Sequence, residues 1–184
     1  GQDVTHYFET VPANELEKML WLEADRMGFL LEAVSQKKFE IQRDTVKNER
    51  GQTVDNQPYG RVSEVLGESL YPRDHPYSWQ PIGYIDDLNR VDVNDLKRFF
   101  LRWYGPNNAT LVIGGDIQPA QTLAWVERYF GTLPAGPKLS RSVTRPVALK
   151  KSRYRTLVDQ VAEPMLVLAY PTVSAREPGF EALD

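Results

Sequence analysis

The sequence predicts an α+β fold in which helices pack on a mostly antiparallel sheet. Several stretches place apolar residues three and four positions apart, as amphipathic helices do. Short apolar or alternating runs lie between and after these stretches and are typical of strands. The order of the two kinds of element is not a regular βαβ repeat, so an antiparallel arrangement fits better than a parallel one. The 184 residues are enough for one domain, or for one domain and part of another.

The first elements are a predicted strand and a long predicted helix. Thr5–Val11 alternates in polarity and is followed by Pro12, which ends a strand. Asn14 suits the N-cap of a helix over Glu15–Val34. Glu23 lies within the apolar stripe of that helix, so its carboxylate is expected to pair with an arginine or to lie at the stripe's edge. The stripe consists of Leu16, Met19, Leu20, Met27, Leu30, Leu31 and Val34.

Four more helices follow from apolar spacing and capping residues. Between them, Tyr71–Tyr84 is rich in proline and aromatic residues, and a loop of this length is often functional. The helices are expected over Gln36–Asp55, over Arg61–Leu70, from Asp92 or Asn94 to Trp103, and over Pro119–Phe130.

The last third of the chain is expected to contain most of the strands. Ala109–Gly114 is short and apolar, which favours a central strand, and two more strands are expected at Leu157–Val161 and Met165–Tyr170. Arg176–Asp184 is expected to begin a helix. We therefore predict a first α+β domain with the start of the following segment over residues 1–134, a Gly- and Pro-rich linker over 135–147, and a second subdomain over 148–184. Because the chain begins without Met and ends within a helical pattern, we expect it to be truncated at both ends.

Composition excludes several classes of protein. The net charge of −3 argues against a nucleic-acid-binding protein, which normally carries a basic patch. No apolar run approaches the ~18 residues of a membrane span. The absence of cysteine excludes disulfides, cysteine-ligated zinc and thiol nucleophiles, but it does not identify the compartment.

No complete metal site can be assigned from the sequence. The two histidines, His6 and His75, lie far apart and form no H-E-x-x-H or H-x-x-E-H motif. Both are more simply interpreted as surface residues than as ligands.

One helical segment merits closer attention. Gln42 and Glu49 are seven residues apart, or about two helical turns, and flank an apolar stripe marked by Phe39 and Val46. A carboxylate in this position can face an adjoining element. On physical grounds alone, a solvated or ion-paired glutamate is the more common interpretation of Glu49.

Several linked segments resemble the pitrilysin (insulinase) family of zinc metallopeptidases, also called inverzincins after their H-x-x-E-H motif. The resemblance covers nearly the whole chain, and the segments occur in the family's order. They are Thr5–Pro12 (THYFETVP), Leu22–Met27 (LEADRM), Arg43–Glu49 (RDTVKNE), Phe99–Asp116 (FFLRWYGPNNATLVIGGD) and Tyr129–Pro134 (YFGTLP).

The resemblance implies that Glu49 is the third zinc ligand. The H-x-x-E-H helix, with two histidine ligands and the general base, is expected upstream of Gly1, so no catalytic residue is assigned within this chain. Zinc is expected in the full-length protein and not in this chain alone. Gln42 occupies an auxiliary position where many members carry Glu, and an amide there cannot hold a charge. Thr5, Tyr7 and Glu9 are expected to bind substrate along an edge strand.

The function implied is that of a zinc-dependent metalloendopeptidase that hydrolyses peptides or small unfolded proteins, with this chain inactive by itself. The expected partners are a peptide substrate and a second pitrilysin-type half, in the same chain or in another subunit. One alternative is a non-catalytic subunit or half that binds and frames substrate, and another is a peptidase dedicated to one peptide. We expect a bacterial periplasmic or cell-envelope location in preference to the cytoplasm.

Overall fold

A computed structural model describes residues 1–140, 147–174 and 177–183. These residues form two compact units. The first unit contains Gly1–Val4, Thr45–Ile85 and the described residues from 147 onward, and the second contains Thr5–Asp44 and residues 86–140. None of the helices in the described ranges is long and apolar enough to cross a membrane.

Helices are the regular secondary structure of the described residues, and the predicted helices other than the one at Arg176–Asp184 are confirmed with small shifts of boundary. Short 3-10 turns occur at Ala13–Glu15, Pro76–Ser78, Pro106–Asn108 and Phe180–Leu183, and a π-helical turn occurs at Gly51–Asp55. The α-helices are α1 (Leu16–Ala33), α2 (Gln36–Arg50), α3 (Val62–Leu70), α4 (Ile85–Arg90), α5 (Val93–Trp103) and α6 (Pro119–Phe130).

The predicted α+β fold with an antiparallel sheet is wrong, because the described residues form no strand or sheet. A strand persists only where a neighbouring strand accepts and donates its backbone hydrogen bonds, and local β propensity does not supply that neighbour. Side chains in these segments are accordingly exposed, as for Val112 (85%) and Val158 (98%). The affected segments are Thr5–Val11, Ala109–Gly114, Leu157–Val161 and Met165–Tyr170.

In the second unit, α1 packs against α6. Leu20 and Ala24 are the buried apolar residues of α1, and the Tyr129 hydroxyl of α6 donates a hydrogen bond to Glu17 at 2.8 Å. The predicted pairing of Glu23 is confirmed, since its carboxylate forms an ion pair with Arg26 one turn later.

The capping residues are partly as predicted. Asp92 caps α5: its carboxylate accepts hydrogen bonds from the backbone N–H groups of Asn94 and Asp95 at 2.7 and 2.9 Å. Asp95 completes a capping box by accepting the Asp92 N–H at 3.0 Å. Asn14, in contrast, is not the N-cap of α1. It lies in the preceding 3-10 turn, and its side chain donates a hydrogen bond to Glu15.

In the first unit, α3 packs against the Pro76–Ser78 turn. The turn before α3 also contacts the later part of the chain. There the Tyr59 N–H donates to Asp159 at 3.1 Å, and the Tyr59 hydroxyl donates to the Glu163 carbonyl at 2.6 Å.

Two predicted features fall partly outside the described residues. Positions 141–146 of the predicted linker are among those that are not described. The same holds for positions 176 and 184 of the predicted C-terminal helix, whose described part contains the 3-10 turn Phe180–Leu183.

Candidate functional site

The end of α2 carries Glu49 and leaves regular α-helical geometry immediately afterwards. The helix ends at Arg50 and continues as the π-helical turn Gly51–Asp55. The Thr53 hydroxyl donates a hydrogen bond to the Glu49 carbonyl at 2.8 Å and so satisfies a helix-end acceptor. Single π-helical turns of this kind occur frequently at functional sites.

Arg50, the neighbour of Glu49, is buried in a polar cluster. Its Nη1 donates to Glu64 Oε1 at 2.9 Å and to the Gly83 carbonyl at 2.6 Å, and its Nη2 donates to Glu64 Oε2 at 3.2 Å. Asp55 lies 3.3 Å from Nη2. Arg50 and Glu64 are only 6% and 5% exposed, respectively. The hydrogen bonds to Glu64 raise the pKa of the Arg50 guanidinium, so the arginine remains charged. We call Arg50, Asp55, Glu64 and Gly83 the Arg50 cluster.

Tyr84 closes one side of the Arg50 cluster. Its ring centroid lies 5.6 Å from the Arg50 guanidinium carbon, and its hydroxyl donates to Glu68 Oε1 at 2.9 Å. Burial, followed by the hydrogen bond to Glu68, raises the pKa of Tyr84 to about 12.

The Glu49 side chain differs from its neighbour because it is exposed. It lies on the wall of an open cavity of about 320 Å³. Its carboxylate forms no hydrogen bond or ion pair with any residue that the structure describes. The wall also includes Arg50, Thr53, Val54, Ser63, Gln80 and Ile82. A carboxylate with free oxygens at a cavity wall is available as a ligand for a cation.

The described residues supply one possible zinc ligand here and not a complete set. Over residues 1–140, 147–174 and 177–183, no group of three or more histidine, aspartate or glutamate side chains is placed to hold a metal ion. A catalytic zinc site needs three protein ligands and an open fourth position. Glu49 therefore fits a zinc site only as one member of a ligand set completed from elsewhere.

The other predicted site residues, Thr5, Tyr7, Glu9 and Gln42, belong to the second unit. Thr5, Tyr7 and Glu9 are exposed, and the Arg26 guanidinium carbon lies 3.7 Å from the Tyr7 ring centroid. Partial loss of water around the Glu9 carboxyl, followed by repulsion from the neighbouring Glu23, raises the pKa of this exposed group. Because these residues form no strand, they do not offer the predicted sheet edge for substrate.

Gln42 is also exposed, on the part of α2 that belongs to the second unit. The two histidines have different environments. His6 is exposed. His75 caps the Pro76–Ser78 turn by accepting the Tyr77 N–H through Nδ1 at 3.1 Å, and its ring stacks on Tyr71 at 4.7 Å. His75 thus has a structural role in its loop.

Sequence analysis missed the Arg50 cluster. One indication was available: Glu64 lies between Val62, Val65 and Leu66 on a short amphipathic helix, and a carboxylate on such a face needs a cationic partner. The identity of that partner could not be inferred, because Arg50 and Glu64 are separated by a turn.

Comparison with known proteins gives consistent matches. Residues 90–184 match the family model described as the peptidase M16 inactive domain. "Zinc protease PqqE" of Helicobacter pylori is 32% identical over 131 residues, which are 71% of this chain and 29% of that protein. "Probable zinc protease PqqL" of Escherichia coli is 32% identical over 100 residues, which are 54% of this chain and 11% of that protein.

A solved structure agrees with the sequence matches. The crystal structure of a protease from Helicobacter pylori superimposes with a TM-score of 0.65 at 29% identity, and the match covers 71% of this chain and 30% of that one. The chain therefore spans less than a third of the length of these relatives.

Proposed function

The chain belongs to the pitrilysin, or M16, family of peptidases, and we propose that these residues are part of a zinc-dependent endopeptidase that hydrolyses peptides or small unfolded proteins. Two relatives with the names zinc protease and probable zinc protease support the class of reaction. Within such an enzyme, this segment would contribute Glu49 to the metal site and its helices to the frame around the substrate.

The availability of the Glu49 carboxylate is the observation that supports this proposal. It lies exposed at a cavity, on a helix end whose next residue is buried in the Arg50 cluster. A glutamate that only interacts with solvent can lie anywhere on the outer face of a helix. Glu49 instead lies beside a cavity, on a helical turn that the contacts of Arg50 hold in place. The segment Arg43–Glu49 also carries the resemblance to the family's third-ligand helix.

The chemistry is divided between this segment and the rest of the protein. Zinc, when bound, would supply Lewis acidity towards the peptide carbonyl. The Glu49 carboxylate would hold the ion, and Thr53 would stabilise the helix end from which it projects. The remaining ligands and the general base are assigned to an H-x-x-E-H motif outside these residues, so no proton transfer is assigned to this chain.

A second candidate is a non-catalytic half or subunit that binds and frames substrate. The observation that favours it is the description of the matching domain over residues 90–184 as the inactive M16 domain. The matched region does not include Glu49, so its description is compatible with both candidates. Either candidate requires a second pitrilysin-type half in the same chain or in a partner.

The test of the proposed function is Glu49→Gln in the full-length protein. A neutral amide is a poorer ligand than a carboxylate for zinc, so we expect most zinc affinity and most peptidase activity to be lost. Zinc content after dialysis against a competing chelator and the rate of peptide hydrolysis measure the two effects.

Glu40→Gln is the matched control for this substitution. Glu40 lies on the same helix, is exposed, and accepts a hydrogen bond from Gln36 at 2.7 Å. Its replacement makes the same chemical change and is expected to leave zinc content and hydrolysis unchanged. Equal zinc occupancy and equal rates in the two variants would reject the ligand assignment. A wild-type protein that binds no zinc and cleaves no peptide would favour the framing half.

A further inference from the structure

We propose that the Arg50 cluster positions the Glu49 carboxylate for metal binding, which makes Arg50 and Glu64 positioning residues of the zinc site. This inference rests on the proposed function. It adds two side chains that do not themselves touch the metal, and it assigns to them the alignment of the ligand.

The Arg50 guanidinium is held from three separate parts of the first unit. Glu64 on α3 accepts two hydrogen bonds, the Gly83 carbonyl accepts one at 2.6 Å, and Asp55 in the π-helical turn lies 3.3 Å away. Such a bidentate arginine–carboxylate pair fixes direction as well as distance. Arg50 therefore has one orientation in which all of these contacts form together.

The fixed Arg50 side chain also sets the direction of its neighbour. Successive side chains on an α-helix point about 100° apart around the axis. Once Arg50 is directed towards Glu64, rotation of the last helical turn is fixed, and this places the neighbouring Glu49 side chain at the wall of the cavity. The Thr53 hydroxyl holds the Glu49 carbonyl and limits movement along the axis. Glu49 retains only the freedom of its own side-chain torsions.

Precise placement matters more for a metal ligand than for most surface residues. Ligands must be held within about 0.5 Å of their productive positions, and the groups that support them account for much of this precision. Among the described residues Glu64 is the buried carboxylate that pairs with Arg50, whereas the Asp55 side chain, 3.3 Å away, is 40% exposed. Without Glu64, a buried guanidinium would keep only Gly83 and Asp55, so we expect the end of α2 to shift or loosen.

The experiment compares Glu64→Gln and Arg50→Lys with wild type in the full-length protein. Both changes preserve approximate size and remove the paired, bidentate interaction. Zinc affinity is measured by competition with a chromophoric chelator, and unfolding of the zinc-free protein is measured on the same samples. We expect affinity to fall about 10- to 100-fold at a temperature where both variants remain folded. We expect kcat to fall with little change in KM.

Asp87→Asn is the control variant. It makes a carboxylate-to-amide change in an exposed ion pair, with Arg90 on α4, and should leave zinc affinity unchanged. If Glu49→Gln abolishes zinc binding while Glu64→Gln and Arg50→Lys retain wild-type affinity, the positioning role is wrong and the proposed function stands. If Glu49→Gln itself retains wild-type affinity, the proposed function fails. Should Glu64→Gln not fold, Arg50→Lys decides the outcome in the same way.

Discussion

Glu49 and Arg50 are adjacent in the chain and have opposite environments. The rotation of the last turn of α2 determines which of the two side chains is buried and which is exposed. Arg50 is 6% exposed with its charge paired to Glu64, whereas Glu49 is exposed and its carboxylate has no polar partner among the described residues. A buried ion pair contributes little net stability compared with apolar packing, because both charges lose water. Its value here is directional, since it selects one rotation of the last turn of α2.

A prediction at the residue scale concerns Tyr84. Its pKa is raised to about 12, from an unfolded value of about 10. Between these values the folded protein keeps the phenol proton and the unfolded chain loses it. The stability that this group contributes is therefore complete below about pH 10 and is lost as the pH rises through 12. Urea unfolding at about pH 9 and about pH 11 should show a smaller loss of stability in Tyr84→Phe than in wild type.

Tyr154→Phe provides the comparison for this measurement. Tyr154 is 89% exposed, and its replacement removes the same hydroxyl without affecting Arg50 or Glu68. If the free energy of unfolding falls equally in wild type and Tyr84→Phe between the two pH values, the raised pKa of Tyr84 does not cause the loss of stability.

At the scale of elements, the contact between α3 and the Pro76–Ser78 turn depends on Gly67. A Cβ added at Gly67 would lie 3.0 Å from the Tyr77 carbonyl oxygen and 3.3 Å from that of Ser78. Both atoms belong to the backbone, so they cannot move aside as a side chain would. This close approach holds α3, and with it Glu64, against the loop that contains His75.

We predict that Gly67→Ala destabilises the protein by about 1–3 kcal/mol, although alanine is the better helix former. Gly28→Ala is the comparison, because the Cβ added there would meet only the Leu133 side chain, which can rotate away. Gly28→Ala should therefore cost less than Gly67→Ala. Chemical denaturation of both variants measures the difference, and a Gly67→Ala variant as stable as wild type would contradict the prediction.

Local patterns allowed the helices to be predicted and failed for the strands. α1, α2, α3, α5 and α6 follow from apolar spacing and caps, since a helix satisfies its backbone hydrogen bonds within itself. α4 was missed because its six residues, Ile85–Arg90, span fewer than two helical turns and so show no repeated apolar spacing. A segment such as Leu157–Val161 has the composition of a strand, but pairing depends on a distant partner that local sequence does not specify.

Only part of the candidate site was predicted from the sequence. Glu49 was identified from a family resemblance carried by Arg43–Glu49, and physical reasoning from the sequence placed it only on a helix face. Its supporting residues were not identified. Glu64 and Gly83 approach Arg50 across 14 and 33 residues, through turns whose geometry the sequence pattern does not specify.

At the scale of the whole molecule, apolar side chains remain exposed on the described residues from 147 onward. Val158 is 98% exposed and Leu166 is 84% exposed, on segments without regular structure. Soluble proteins seldom leave neighbouring apolar side chains uncovered unless another surface packs against them. The matched region is less than a third of each of these relatives, so the relatives contain further chain that can supply such a surface.

We therefore predict that the 184-residue chain by itself self-associates in a concentration-dependent manner through these segments. Burying one valine or leucine side chain stabilises an interface by about 1.5–3 kcal/mol, and every 1.4 kcal/mol changes the dissociation constant about tenfold. Val158→Lys and Leu166→Lys should each weaken association at least about tenfold, as measured by sedimentation or light scattering over a range of concentrations. Gln160→Lys, at an exposed polar position nearby, adds the same charge without removing apolar surface and should have a much smaller effect.

If Gln160→Lys weakens association as much as Leu166→Lys, the change in net charge is responsible and not the loss of apolar contact. If the unmodified chain is monomeric at all concentrations, these side chains do not mediate association.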